Sequence, residues 1–164
     1  MNLSQLILLI LLAFSWPSHA QEYKELTWDD LMPEGWFPEP PPEHDIFAQE
    51  FEGGIEALSY TEVAPIVGDL NKQKLKLPGY IIPIKYDALT VTEFLLVPYM
   101  GACIHVPPPP ENQIVYVSLA TPTEITELWA PVWVSGTMRT ELLETEYAVA
   151  GYHLTKALIE AYEF

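Results

Sequence analysis

The sequence is poor in cysteine and in positive charge. Only Cys103 stands among 164 residues, which excludes an internal disulfide framework and any multi-cysteine zinc finger. Seven lysines and arginines face 23 acids, a formal charge of −16. Phosphate-rich partners repel such a chain, so nucleic acid and anionic membrane surfaces are excluded. No apolar run reaches the roughly 20 residues of a membrane-spanning helix. No C-x-x-C pair, glycine-rich phosphate loop, haem motif or Ser-His-Asp order is present. Proline, by contrast, is abundant at 16 residues, and it breaks helix interiors, which argues against a helical bundle. Apolar residues make up 49% of the chain, enough for the core of one ordinary domain.

Leu6 to Phe14 reads LILLILLAF, followed by the small-residue site Ser18-His19-Ala20. This pattern predicts a secretory signal peptide over 1–20, cut after Ala20. Contact with the membrane is then only through the transient signal peptide, and the mature chain is expected in the periplasm of a Gram-negative cell. The segment before Leu6 has no lysine or arginine, which leaves an uncleaved anchor as the alternative. No cysteine stands at the cleavage site, which argues against a lipid anchor. Three histidines remain in the mature part: His44, His105 and His153. In an oxidising compartment an unpaired thiol is prone to oxidation, so Cys103 calls for burial, a metal or chemistry.

The mature chain divides into a proline-rich arm, 21–58, and a single β-rich domain, 59–164. Thr27 before Trp28-Asp29-Asp30-Leu31 predicts a capped helical turn, and FPEPPPE over 37–43 an extended stretch that wraps the domain. Ser59 with Glu62 resembles a capping box and predicts a short helix near 60–69. Five strand-like runs follow, over 74–84, 91–97, 114–119, 131–138 and 146–154, with a short strand or helical turn over 157–162. Leu75 and Leu77 share one strand face, and Pro78-Gly79 predicts a bulge or bend. Bent short strands separated by turn chemistry predict a mainly β fold, a small OB-like, mostly antiparallel barrel with the N-terminal arm and one or two short helices.

Tyr99 to Gln113 reads YMGACIHVPPPPENQ. On a strand, Cys103 and His105 project from one face about 7 Å apart, so thiolate and imidazole converge on one ion, and zinc accepts both. Packing is the competing explanation, because a free cysteine behaves as a small hydrophobe. Four prolines then form a rigid wall, and Glu111, Asn112 or Gln113 could return to complete a site. His153 and His44 are further candidate ligands. A cysteine–histidine nucleophile pair is the enzymatic alternative, but no orienting Asn or Asp is identifiable. Trp28, Trp36, Trp129 and Trp133 are expected to pack the arm on the barrel. A groove for a peptide, glycan or protein partner is the binding-module alternative.

PGYIIPI, EFLLVPYMGACIHVPPPPENQIVYV, APVWVSGTM and ELTWDDLMP together resemble the bacterial family called domain of unknown function 3299, DUF3299. The likeness covers nearly all the mature chain. It implies an exported protein, periplasmic or, as in some relatives, lipid-anchored. Some members are encoded beside ABC transporters controlled by zinc supply, which implies a zinc-binding or metal-trafficking role and an ABC transporter component as partner. The expected site is one Zn2+ held by Cys103 and His105, with a third ligand from His153, His44 or a carboxylate.

Overall fold

The structure, a computed structural model, describes residues 22–38, 63–102, 109–125, 127 and 129–162. His44, Cys103, His105 and the predicted signal peptide lie outside the described residues. In chain order the strands are β1 (Lys24–Glu25), β2 (Lys74–Asp87), β3 (Thr90–Val97), β4 (Val115–Glu124), β5 (Val132–Arg139), β6 (Leu143–Glu144), β7 (Val149–Ala150) and β8 (Tyr152–Ala161). Three 3-10 turns, Trp28–Leu31, Gly68–Leu70 and Glu111–Gln113, are the only helical pieces among the described residues.

Strands β2, β3, β4, β8 and β5 form a barrel, closed by pairing of β5 back onto β2. Four of its contacts are antiparallel and one, β4 with β8, is parallel. This is the mainly β, OB-like barrel that the strand pattern predicts. Closure depends on β2 serving two partners. Lys74 to Gly79 pair with β5, and Tyr80 to Asp87 pair with β3. The change falls at Pro78-Gly79, the predicted bend. A Cβ on Gly79 would lie 2.7 Å from the Val97 carbonyl oxygen, so only glycine lets the two backbones approach there.

Leu75, Leu77, Phe94, Val117, Val134 and Leu154 alternate along their strands into the barrel interior, where they are fully buried. The arm, expected to wrap over the surface, goes further. Leu26 and Leu31 are buried members of the same core, and β1 pairs in parallel beside Leu75 and Lys76. Its turn is capped as predicted: the Thr27 amide and hydroxyl both donate to Asp30 at 2.7 Å.

Two elements differ from expectation. No helix forms over 63–67, because the backbone of that segment is bonded elsewhere: Ala64 N–H to Glu111, Pro65 C=O to Asn112, and Val67 N–H to Tyr152. Only Gly68–Leu70 turns. The run 146–154 is also not one strand. Glu144 and Val149 pair in the small β6–β7 hairpin, and β8 begins after Gly151 and continues through 157–161.

A second cluster lies on the outer face of β2, β3 and β4. It contains Ile82, Leu95, Val97, Ala102, Ile114 and Ala150, with Tyr116 packed against it. The β3 run Leu95-Leu96-Val97 is therefore buried on both faces, which explains why it does not alternate.

Candidate functional site

The 103–108 segment is flanked by buried residues. Ala102 has no exposed surface, and Pro109 and Pro110 are buried at the other end. The three residues after the prolines have structural duties. Glu111 accepts the Ala64 amide at 2.9 Å, Asn112 donates to the Pro65 carbonyl at 2.9 Å, and Gln113 donates to the Trp28 carbonyl at 2.9 Å. They staple the N-terminal segments to the barrel and are not arranged as a ligand set. The Asn112 Oδ1 atom is buried without a partner. Among the described residues, no group of three or more histidine, cysteine, aspartate or glutamate side chains is placed to hold an ion.

His153 is the one histidine or cysteine among the sequence-predicted candidates that the described residues contain. It projects from β8 on the outer face, beside Tyr116, its partner in the parallel β4–β8 ladder. The two rings meet edge-on with centroids 5.2 Å apart. His153 Nδ1 lies 2.9 Å from Glu141 Oε1, and Nε2 lies 2.8 Å from the Ser118 hydroxyl. An ionised carboxylate only accepts, so Nδ1 carries the proton. In the neutral ring, Nε2 then takes the Ser118 hydroxyl hydrogen. The imidazole is oriented by Glu141, and its lone pair points along the barrel wall.

The polar chain extends across the sheet. The Tyr116 hydroxyl donates to Glu93, and the Lys85 ammonium lies 2.7 Å from the same carboxylate. Burial by itself would raise the Glu93 carboxyl, but the Lys85 and Tyr116 hydrogen bonds outweigh it and hold Glu93 below the usual carboxylate value. Burial, with Glu93 as acceptor, pushes the Tyr116 phenol well above its ordinary range. The result is a band of charged and hydroxyl groups, Lys85, Glu93, Tyr116, Ser118, His153 and Glu141, across four strands and the β5–β6 connection.

Sequence reasoning found His153 and missed the others. A signal was available for three. Glu93 is the lone acid in the apolar run VTEFLLV, and Tyr116 and Ser118 alternate with buried valines in IVYVSL. Glu141 had none, since it sits in a connection between strands.

Of the four tryptophans expected to pack the arm, Trp28 packs on the core and donates its indole N–H to the Pro78 carbonyl at 2.8 Å. Trp133 stacks on Tyr162 with Lys76 over its ring. Trp129 is exposed, so the four do not form a single seam.

The model of the DUF3299 family, described as a protein of unknown function, matches residues 28–161. The crystal structure of a DUF3299 family protein from Pseudomonas aeruginosa is 46% identical, with a TM-score of 0.75. The match covers 87% of this chain and 98% of that one. No curated protein matches the chain.

Proposed function

The chain belongs to the DUF3299 family, proteins of unknown function, and from that premise we propose that it is an exported, periplasmic metal-binding protein. Zinc is its preferred ion, and its partner is a component of an ABC transport system. The observation that carries this reading is the orientation of His153. Metal-binding histidines characteristically donate the second ring N–H to a carboxylate, which fixes the tautomer and raises the basicity of the ligating nitrogen. Glu141 does this at Nδ1. The present partner of Nε2 is a neutral serine hydroxyl, which rotates away at little cost.

Position supports the same reading. Ala102, which immediately precedes Cys103, packs in the outer-face cluster that includes Tyr116, and Tyr116 borders His153. Ala102, the last described residue before that segment, therefore lies on the barrel face that presents the imidazole. Cys103, His105 and His153 would supply one sulfur and two nitrogens, a donor set that suits zinc and leaves a fourth position for water, a carboxylate or His44. In this reading the polypeptide's part is to hold His153 in one tautomer and to supply the thiol of Cys103. The chain's −16 charge draws cations toward the surface.

Calorimetric zinc titration tests this. Cys103→Ser should weaken binding tenfold or more, because a serine hydroxyl is a poor ligand at neutral pH. Glu141→Gln should weaken it roughly 10- to 100-fold, the usual effect of losing such a support. Equal zinc binding by the wild type and the Cys103→Ser, His105→Ala double variant would discard the reading. The export component predicts a periplasmic chain whose first residue is Gln21; mass spectrometry showing Met1 retained would favour an anchored form.

A further inference from the structure

Ser118, His153 and Glu141 form a hydrogen-bonded line of hydroxyl, imidazole and carboxylate. Ser118 stands between Val117 and Leu119, which both pack into the barrel core, so its hydroxyl projects from the outer face. Its Oγ lies 2.8 Å from His153 Nε2, and His153 Nδ1 lies 2.9 Å from Glu141 Oε1. Both distances fall within the reach of direct proton transfer, about 2.6–3.2 Å. With the Nδ1 proton held by Glu141, the Nε2 lone pair accepts the Ser118 proton. A hydroxyl that donates to an unprotonated imidazole is paired with a base able to take its proton, the arrangement that turns serine into a nucleophile. Such a triad is recognised by geometry and roles, not by residue order along the chain.

The backbone is irregular on both sides of Ser118. Towards β3, the Glu93–Ser118 and Val91–Thr123 pairs enclose one residue on β3 and four on β4. Towards β8, the Val117–Leu154 and Leu119–Ala157 pairs enclose Ser118 on β4 and both Thr155 and Lys156 on β8. Lys156, in that bulge, has a φ of 52°, in the left-handed region that a lysine rarely adopts. Bulges are concentrated beside active sites, where they re-aim side chains, and strained backbone of this kind clusters at functional positions. The line is also open to solvent. Ser118 is partly exposed, and the His153 and Glu141 side chains keep 16% and 51% of their surface.

We propose that Ser118 and His153 are catalytic residues of an acyl-transfer site that cleaves carboxylic esters, with Glu141 as the residue that positions the imidazole. The formal charge of −16 repels anions, so the ester is neutral or cationic. Ser118 Oγ bonds to the ester carbonyl carbon while its proton passes to His153 Nε2. The bond from that carbon to the alkoxy oxygen breaks, and Nε2 returns the proton to the departing alcohol. Water then attacks the acyl-serine, gives its proton to Nε2, and the acid leaves as Ser118 recovers its hydrogen. This activity does not depend on the zinc reading. Nε2 cannot serve a proton and an ion together, so the test is made in the presence of a chelator.

Phenylmethylsulfonyl fluoride and p-nitrophenyl acetate are the probes, used on the purified protein. The sulfonyl fluoride should add once, at Ser118, with loss of fluoride, as read by mass spectrometry of the peptide that carries Ser118. Hydrolysis of p-nitrophenyl acetate should fall in step with that adduct. Ser118→Ala should abolish the adduct and lower hydrolysis at least tenfold. His153→Ala should slow Ser118 labelling at least a hundredfold, the usual effect of losing a general base, and added imidazole should restore part of the rate. Glu141→Gln should slow labelling at least tenfold, and Glu141→Asp should recover part of that loss, which a role in packing alone would not produce. Circular dichroism should be unchanged in each variant. The wild-type adduct, and its absence from urea-unfolded protein, test the same point without any substitution. No adduct at Ser118, equal labelling of folded and unfolded protein, labelling as fast in His153→Ala, or hydrolysis undiminished in Ser118→Ala would overturn the proposal.

Discussion

The Tyr152 hydroxyl donates to the Leu31 carbonyl at 2.7 Å, joining residues 121 positions apart. The same oxygen accepts the Val67 amide at 2.6 Å. One phenol on β8 thus anchors two N-terminal segments to the barrel. Burial raises its pKa, against the opposing effect of the Val67 N–H.

Tyr152→Phe keeps the ring and removes both bonds. It leaves a carbonyl and an amide with lost partners, and a destabilisation of about 1–3 kcal/mol follows from that desolvation. Urea unfolding should show a lower midpoint at unchanged slope. An unchanged midpoint would mean that water replaces the hydroxyl without loss.

Gly151→Ala should be costly, because Gly151 is buried at the bend before β8. A Cβ there would lie 2.7 Å from the Glu111 carbonyl oxygen and 3.0 Å from Ile66 Cγ2. The carbonyl accepts the Gly151 amide at 2.7 Å, so it cannot retreat without breaking that bond. Overpacking of this kind costs about 1–3 kcal/mol, and thermal melting measures it directly.

Glu93 makes stability depend on acid. Its folded pKa is lowered, so the unfolded chain takes up a proton first as pH falls. The contribution is fully present above the ordinary carboxyl pKa, about 4.3, and is lost as pH drops through the lower folded value. Asp30, also lowered, chiefly by the Thr27 amide, acts in the same direction. Glu93→Gln should flatten the acid limb of a stability–pH curve below about pH 5. An acid limb identical to wild type would show that the Lys85 and Tyr116 bonds do not survive in solution.

Cys103 distinguishes ligand, nucleophile and packing by its alkylation rate. As a zinc ligand it should react slowly with iodoacetamide in zinc and at least tenfold faster after chelation. Fast labelling in both conditions would indicate a free, activated thiol, and slow labelling in both would indicate burial. The barrel's melting temperature should change little on chelation, because its core is made by apolar strand faces.

Much of the barrel was legible because its strands obey simple periodicity. Leu75 and Leu77 alternate with lysines, and Pro78-Gly79 announces the bend through a missing donor and a missing Cβ. The Thr27–Asp30 cap was equally local. The helix expected near 60–69 failed because Glu111, Asn112 and Tyr152, all distant in sequence, take up the backbone groups that a helix would use.

Composition and short-range pattern by themselves determined a β-rich chain of strong negative charge, with one thiol and a bend at Pro78-Gly79. These properties depend on residue type and on neighbours a few positions away. Only the tertiary structure decided that Glu141 and Ser118 flank the His153 ring, and that Glu111-Asn112-Gln113 serve as staples. Those relationships arise where segments 12 to 85 residues apart are brought together by barrel closure, and no periodicity within one segment encodes which distant side chain will stand opposite.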